Sequence, residues 1–144
     1  MTTPTVPTLE ALAKGDVIVS ETRSFSRDTL VRYAGASGDF NPIHYNDAFA
    51  HEVGLPSVIA HGMLTMGTVI TPVLEWLGDP GPLVSYETRF TRPIEVPALE
   101  AVDVEIEATV GLLKPEDGTA RIDITASVNG QKVLTKCRAV VKLA

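Results

Sequence analysis

The sequence predicts an α+β fold in which one antiparallel sheet wraps around one long helix. Three observations carry that prediction. The C-terminal half alternates apolar and polar residues in consecutive segments, the pattern of strands with one buried face. Turn signals, Pro115-Glu116-Asp117-Gly118 and Asn129-Gly130, separate those segments. One run, Met63–Leu77 (MLTMGTVITPVLEWL), is apolar nearly all round, so a helix there has to be enclosed rather than half-exposed.

The elements follow in chain order. Residues 1–15 (MTTPTVPTLEALAKG) lack a basic start followed by an apolar run, so they are not a secretory signal and are expected to form a flexible or draped arm. Asp16–Phe25 alternates enough for a strand. In SRDTLVRYAG, Ser26 suits a helix N-cap, Asp28 its positive end and Gly35 its close. Asn46–Gly54 (NDAFAHEVG) is expected to be a short helix closed by a glycine. After the long apolar helix come LVSYETRFTRPI as a strand, then one through Val102, Val104, Ile106, Ala108 and Val110, then one through Ala120, Ile122, Ile124, Ala126 and Val128. The last, KVLTKCRAVVKL, sets Val133, Cys137, Ala139 and Val141 against Lys136, Arg138 and Lys142 on its other face. A sheet curled around one central helix is the hot-dog arrangement, expected as a single domain over residues 16–144.

Composition narrows the partners. The 144 residues carry a formal net charge of −6, which argues against nucleic acid, whose affinity rests on cationic contacts to phosphate. Met63–Leu77 is shorter than the ~20 residues a membrane span needs and contains Pro72, so no membrane insertion is expected. The lone Cys137 supports neither a disulfide framework nor a cysteine zinc site within the chain, and a cytoplasmic setting is the expectation.

The densest polar chemistry lies in Ser37–Asp47, SGDFNPIHYND. An imidazole with an ordinary pKa near ~6.5 is the natural proton carrier at neutral pH. Pro42 fixes its own φ and pushes Asn41 out of the helical region. Asp39 and His44 are therefore expected to converge from two sides of a rigid turn. By itself Asp-x-Asn-Pro is an ordinary turn former, and Asn46 or Asp47 suits the cap of the next helix. A second stretch, Ala60-His61-Gly62, stands at the start of the buried helix. There the first N–H groups lack intrahelical partners and the dipole is positive. Gly62 lets a ligand approach that backbone, a suitable site for a carbonyl gaining negative charge. His61 is read either as a capping or packing residue or as a contact to substrate.

Taken together these stretches resemble a known family. YAGASGDFNPIHYNDAFA (Tyr33–Ala50) is similar to the hydratase signature of the MaoC-like, (R)-specific enoyl thioester hydratase/dehydratases, with the Gly-Asp-x-Asn-Pro-aliphatic-His core intact. IAHGMLTMG (Ile59–Gly67) resembles the family's central-helix segment, and YETRFTRPI (Tyr86–Ile94) its Arg-Phe-x-x-Pro strand. HGMLTMG and WLGDPG (Trp76–Gly81) look most like the catalytic subunits of the actinobacterial branch. PIEVPALE (Pro93–Glu100) departs from the Gly-Asp that many members carry there.

The resemblance implies reversible removal of water from a (3R)-3-hydroxyacyl thioester, carried on acyl carrier protein or CoA, with no metal or redox cofactor. It implies catalytic roles for Asp39, His44 and the Gly62 N–H, and supporting or substrate-binding roles for Asn41 and His61; Arg92 is a substrate-binding candidate by its position on the strand. It also implies a two-hot-dog unit, as a homodimer or with a sister subunit. Other functions on the same fold are a non-catalytic acyl-binding partner and a thioesterase. The spacings among His44, His51 and His61 match no standard zinc site. Arg89 and Arg92 lie three apart, so along a strand they point to opposite faces and at least one is expected to face solvent near a carrier's entry.

Overall fold

The computed structural model describes residues 6–144. Strands β1 (Val17–Phe25), β2 (Leu83–Phe90), β3 (Val102–Lys114), β4 (Thr119–Val128), β5 (Gln131–Lys132) and β6 (Leu134–Lys142) form one antiparallel sheet. Its order is β1-β3-β4-β6-β2, with β5 pairing β4. Helices α1 (Arg27–Ser37), α2 (Asp47–Glu52) and α3 (Gly62–Leu77) lie between β1 and β2 in the chain.

The predicted alternation is what closes the core. Val104, Ile106, Ala108 and Val110 of β3 are buried, as are Ala120, Ile122, Ile124 and Ala126 of β4 and Cys137, Ala139 and Val141 of β6. They pack with Val69, Ile70, Val73 and Leu77 of α3. Asn129 and Gly130 both have positive φ, 51° and 76°, which a two-residue hairpin of matching twist requires. Of the expected arm, residues 1–5 lie outside the described part. Residues 9–15 are draped on the sheet, with the Leu9 N–H donated to the Ala144 carbonyl and the Gly15 N–H to that of Val110.

Four details differ from the sequence reading. Helix α1 passes through Gly35 and ends at Gly38, whose left-handed φ of 78° turns its N–H onto the Ala34 carbonyl. The strand read as Leu83–Ile94 stops at Phe90, because Thr91 and Arg92 both turn their N–H groups to the Val133 carbonyl. The last strand is broken: β5 ends at Lys132, β6 starts at Leu134, and Lys136 takes a positive φ of 47°. The break lets two consecutive apolar residues, Val133 and Leu134, both be buried. Finally, α3 keeps one side uncovered by its own sheet. Met63 at its start is 62% exposed, although Pro72 sits buried within the unbroken helix.

Candidate active site

The site begins where α1 stops. Gly38 reverses the chain, and Asp39 follows at once. The Asp39 N–H is donated to Ser37 Oγ at 3.1 Å, and Asp39 Oδ1 accepts the Asn41 N–H at 3.2 Å. Asn41 Oδ1 then accepts the Ile43 N–H at 3.2 Å, capping a short 3-10 turn, Pro42–His44. Pro42 fits that first turn because its missing N–H has no helical partner there. The turn carries His44 inward, where it is buried, while the Asp39 side chain stays half-exposed.

The hydrogen bonds define the His44 tautomer. Nδ1 lies 2.8 Å from the Ile59 carbonyl oxygen, which only accepts, so Nδ1 carries the proton. In the neutral ring Nε2 therefore presents a lone pair, 3.9 Å from Asp39 Oδ2. That separation is too long for a direct hydrogen bond, but one water oxygen ~2.8 Å from each group can span it.

His61 occupies a different place. It is 1% exposed and stacks on His44, with ring centroids 3.8 Å apart and planes 21° apart. Tyr33 of α1 meets its other side edge-on at 4.7 Å. His61 Nε2 lies 3.2 Å from the Asp39 carbonyl, so Nε2 carries the hydrogen and the buried Nδ1 is left without a partner. Burial, and next the proximity of His44, hold the His61 imidazole below its usual pKa. Asp39, His44 and His61 present ligand atoms within 4.8 Å of one another. The two imidazole planes are nearly parallel, so their in-plane lone pairs do not converge on a single ion, which a metal site requires.

Gly62 opens α3, with His61 as an N-cap that makes no side-chain cap bond. Among the described residues, no protein acceptor is recorded for the Gly62 N–H. A Cβ at Gly62 would meet the Phe90 ring at 3.1 Å, so the ring packs close against this backbone and a side chain here would crowd it. A cleft of about 360 Å³ runs past both His44 and Gly62. Its walls are largely apolar, from Ile43, Ile59, Phe90, Pro93, Val133 and Leu134, and Arg92 also lines it.

The six residues singled out in the sequence thus divide. His44, Gly62 and Arg92 line the cleft, and Asp39 stands beside His44. His61 lies behind the dyad, and Asn41 is exposed and caps the turn. Both Arg89 and Arg92 are exposed.

Sequence reasoning missed the walls and the braces. Ile43 and Ile59 were legible only as apolar residues beside a motif. Their partnership is tertiary: the Ile59 N–H is donated to the Ile43 carbonyl at 3.1 Å, while the Ile59 carbonyl holds His44. Arg27 grips Asp47 with both terminal guanidinium nitrogens, at 2.8 and 3.1 Å, and the Val96 carbonyl with Nε. This ties α1, α2 and the segment after β2 into one frame around the dyad turn. The pull of Arg27 holds the Asp47 carboxyl below its usual range.

Comparisons with known proteins bear on the fold and the family. A family model described as "MaoC like domain" matches residues 9–128. The 3-hydroxybutyryl-CoA dehydratase of Methylorubrum extorquens is 32% identical over 143 residues, covering 96% of this chain and 88% of its own. The 3-hydroxyacyl-thioester dehydratase X of Mycobacterium tuberculosis is 43% identical over 67 residues, which are 46% of this chain and 23% of its length. A solved structure named MaoC-like dehydratase superposes with a TM-score of 0.93 at 37% identity, covering 98% of this chain and 43% of that one. The chain therefore spans less than half of some relatives and most of another. The family match over residues 9–128 takes in the turn bearing Asp39 and His44, the whole of α3 and strands β1 to β4, and the chain belongs to the MaoC-like dehydratase family.

Proposed function

We propose that the protein catalyses reversible dehydration of (3R)-3-hydroxyacyl thioesters to trans-2-enoyl thioesters, a reaction of fatty-acid elongation or related lipid metabolism. The observation that carries this reading is that His44, whose Nδ1 is engaged by the Ile59 carbonyl, and Gly62 at the start of α3 line one apolar-walled cleft.

In the dehydration direction, the neutral His44 Nε2 takes the C2 proton, and charge develops on the thioester oxygen. The Gly62 N–H, at the positive end of α3, faces that charge; such a donor is typically worth about 3–4 kcal/mol. The His44 imidazolium then returns its proton to the 3-hydroxyl as the C3–O bond breaks. Water leaves between His44 and Asp39, whose carboxylate holds it. Hydration runs the same steps backwards, with the water placed in the 3.9 Å gap. Each dyad group is expected to contribute on the order of 10²–10⁴-fold.

The acyl group is carried on CoA or on acyl carrier protein. Arg92 is exposed where the cleft adjoins a second hollow of about 420 Å³ that includes Asn129 and Gln131, a position suited to a phosphate on the carrier arm. The working unit is two hot-dog domains, a homodimer or a pair with a sister chain, in the cytoplasm. The uncovered side of α3 and the one-sided pairing of β2 support the assembly.

The test is the enoyl-thioester absorbance of crotonyl-CoA followed beside a free-thiol assay. Loss of absorbance without thiol release supports hydration. Thiol release would instead indicate hydrolysis, and neither change would refute both activities on this substrate.

A further inference from the structure

We infer that His61 is the positioning residue of the dyad: one buried ring sets Asp39 and His44 relative to each other and to the Gly62 N–H. The inference rests on the dehydratase reading above.

The dyad members come from a strand-free turn, and Asp39 has little else to hold it. Its N–H and its carboxylate bond locally, to Ser37 and Asn41. Among the described residues, the tertiary hydrogen bond recorded on its main chain is the one to His61 Nε2. The same imidazole presents a face to His44 at 3.8 Å. A single rigid ring therefore spans both groups, through a donor in its plane and a surface perpendicular to it. The ring is itself clamped, by Tyr33 edge-on from α1 and by burial.

His61 also precedes Gly62 directly, and its carbonyl accepts the Thr65 N–H at 3.1 Å as the first bond of α3. Whatever fixes His61 thereby fixes three things: the main chain of Asp39, the His44 imidazole and the helix start whose N–H faces the developing charge. A water shared across 3.9 Å tolerates little drift, and displacements near 1 Å can cost on the order of 10²-fold.

The hydrogen-bond pattern demands one state of the ring. The Asp39 carbonyl needs the hydrogen on Nε2, and the buried Nδ1 has no partner for a second one. Because His61 does not line the cleft, its effect on the reaction passes through Asp39, His44 and the Gly62 N–H.

The test uses three variants with crotonyl-CoA and, independently of activity, nitrogen-15 NMR of the wild-type histidines. His61→Ala removes donor and face. His61→Gln restores an N–H near the Nε2 position, and His61→Phe restores the face. The expected result is a kcat lowered by ~10²-fold in the Ala variant, partial recovery in each of the other two, and KM within about threefold throughout. NMR should show His61 as the neutral Nε2–H tautomer at pH 7. If kcat per folded molecule is unchanged in the Gln and Phe variants, or KM rises while kcat holds, the inference is overturned. An Nδ1–H tautomer overturns it equally, even if the Ala variant fails to fold. Wild-type protein without hydratase activity would strike the function instead, and the tautomer would still report on the ring.

Discussion

Asp39→Asn and His44→Ala remove one acid–base group each while leaving the turn's backbone bonds in place. Each should lower kcat by at least ~10²-fold with the circular dichroism spectrum unchanged. Near-normal turnover in either folded variant would remove that residue from the mechanism. His61 yields a different kind of expectation. Its native form is held neutral by burial and by His44 on its face, with Tyr33 and Asp39 as its other titratable neighbours. The unfolded chain takes a proton on this residue near pH ~6.5, and the native state resists doing so. Between the lowered native value and ~6.5 the unfolded state binds more protons, so stability falls as pH drops through that window. Denaturation midpoints at pH 7.5 and 5.5 should therefore separate more for the wild type than for His61→Gln. Equal separations would mean that His61 is not the group responsible.

At the scale of elements, α1 joins stability to catalysis through its two glycines. Gly35 lies in mid-helix with open space around its Cβ position, so Gly35→Ala should stabilise by about 0.5–1 kcal/mol. Gly38 also has open space, but its φ of 78° strains any side chain. Gly38→Ala should cost ~1–2 kcal/mol, and because Asp39 is the next residue, kcat should fall as well. Thermal melts beside crotonyl-CoA kinetics separate the two cases; a Gly38→Ala protein with normal kcat would show that the reversal at Gly38 does not aim Asp39. The break between β5 and β6 works similarly. It costs one strand its continuity and places Val133 and Leu134 together in the cleft wall.

At the scale of the whole molecule, several large apolar side chains among the described residues are exposed. Phe40 is 60% exposed, Val84 61% and Phe90 56%, in addition to Met63. Strand β2 pairs on one side with β6 and ends the sheet, an edge that natural proteins cover or pair. Sedimentation at micromolar concentration should accordingly show a two-domain unit, and a stable, active monomer would contradict it. The carrier question belongs to this scale too. With a net charge of −6, an acidic carrier is repelled overall and needs local cations. Arg92→Ala should raise KM for acyl carrier protein and CoA thioesters, more at low salt, and leave an N-acetylcysteamine thioester unaffected. Equal effects on all three would assign Arg92 a structural role.

Alternation with period two, two turn signals and one all-apolar helix were enough to read the sheet and its central helix, because each is a local pattern that burial on one face imposes. The dyad was legible for a related reason. Asp39 and His44 lie five positions apart around a proline turn, so the turn alone brings them near each other, and the contacts to Ile59 and His61 then set their final placement. The Gly62 N–H was legible because the first amides of any helix lack partners. Tertiary structure alone decided the rest. The spacing of His61 from His44 does not show that the rings stack, since 16 intervening residues lead away through α2 and return along the segment beside Ile94. The Arg27–Asp47 clamp, the paired burial of Val133 and Leu134, and the stop of β2 at Phe90 likewise depend on which backbone groups meet across the fold. Such meetings are set by packing of the whole chain, and a single segment's periodicity carries no record of them.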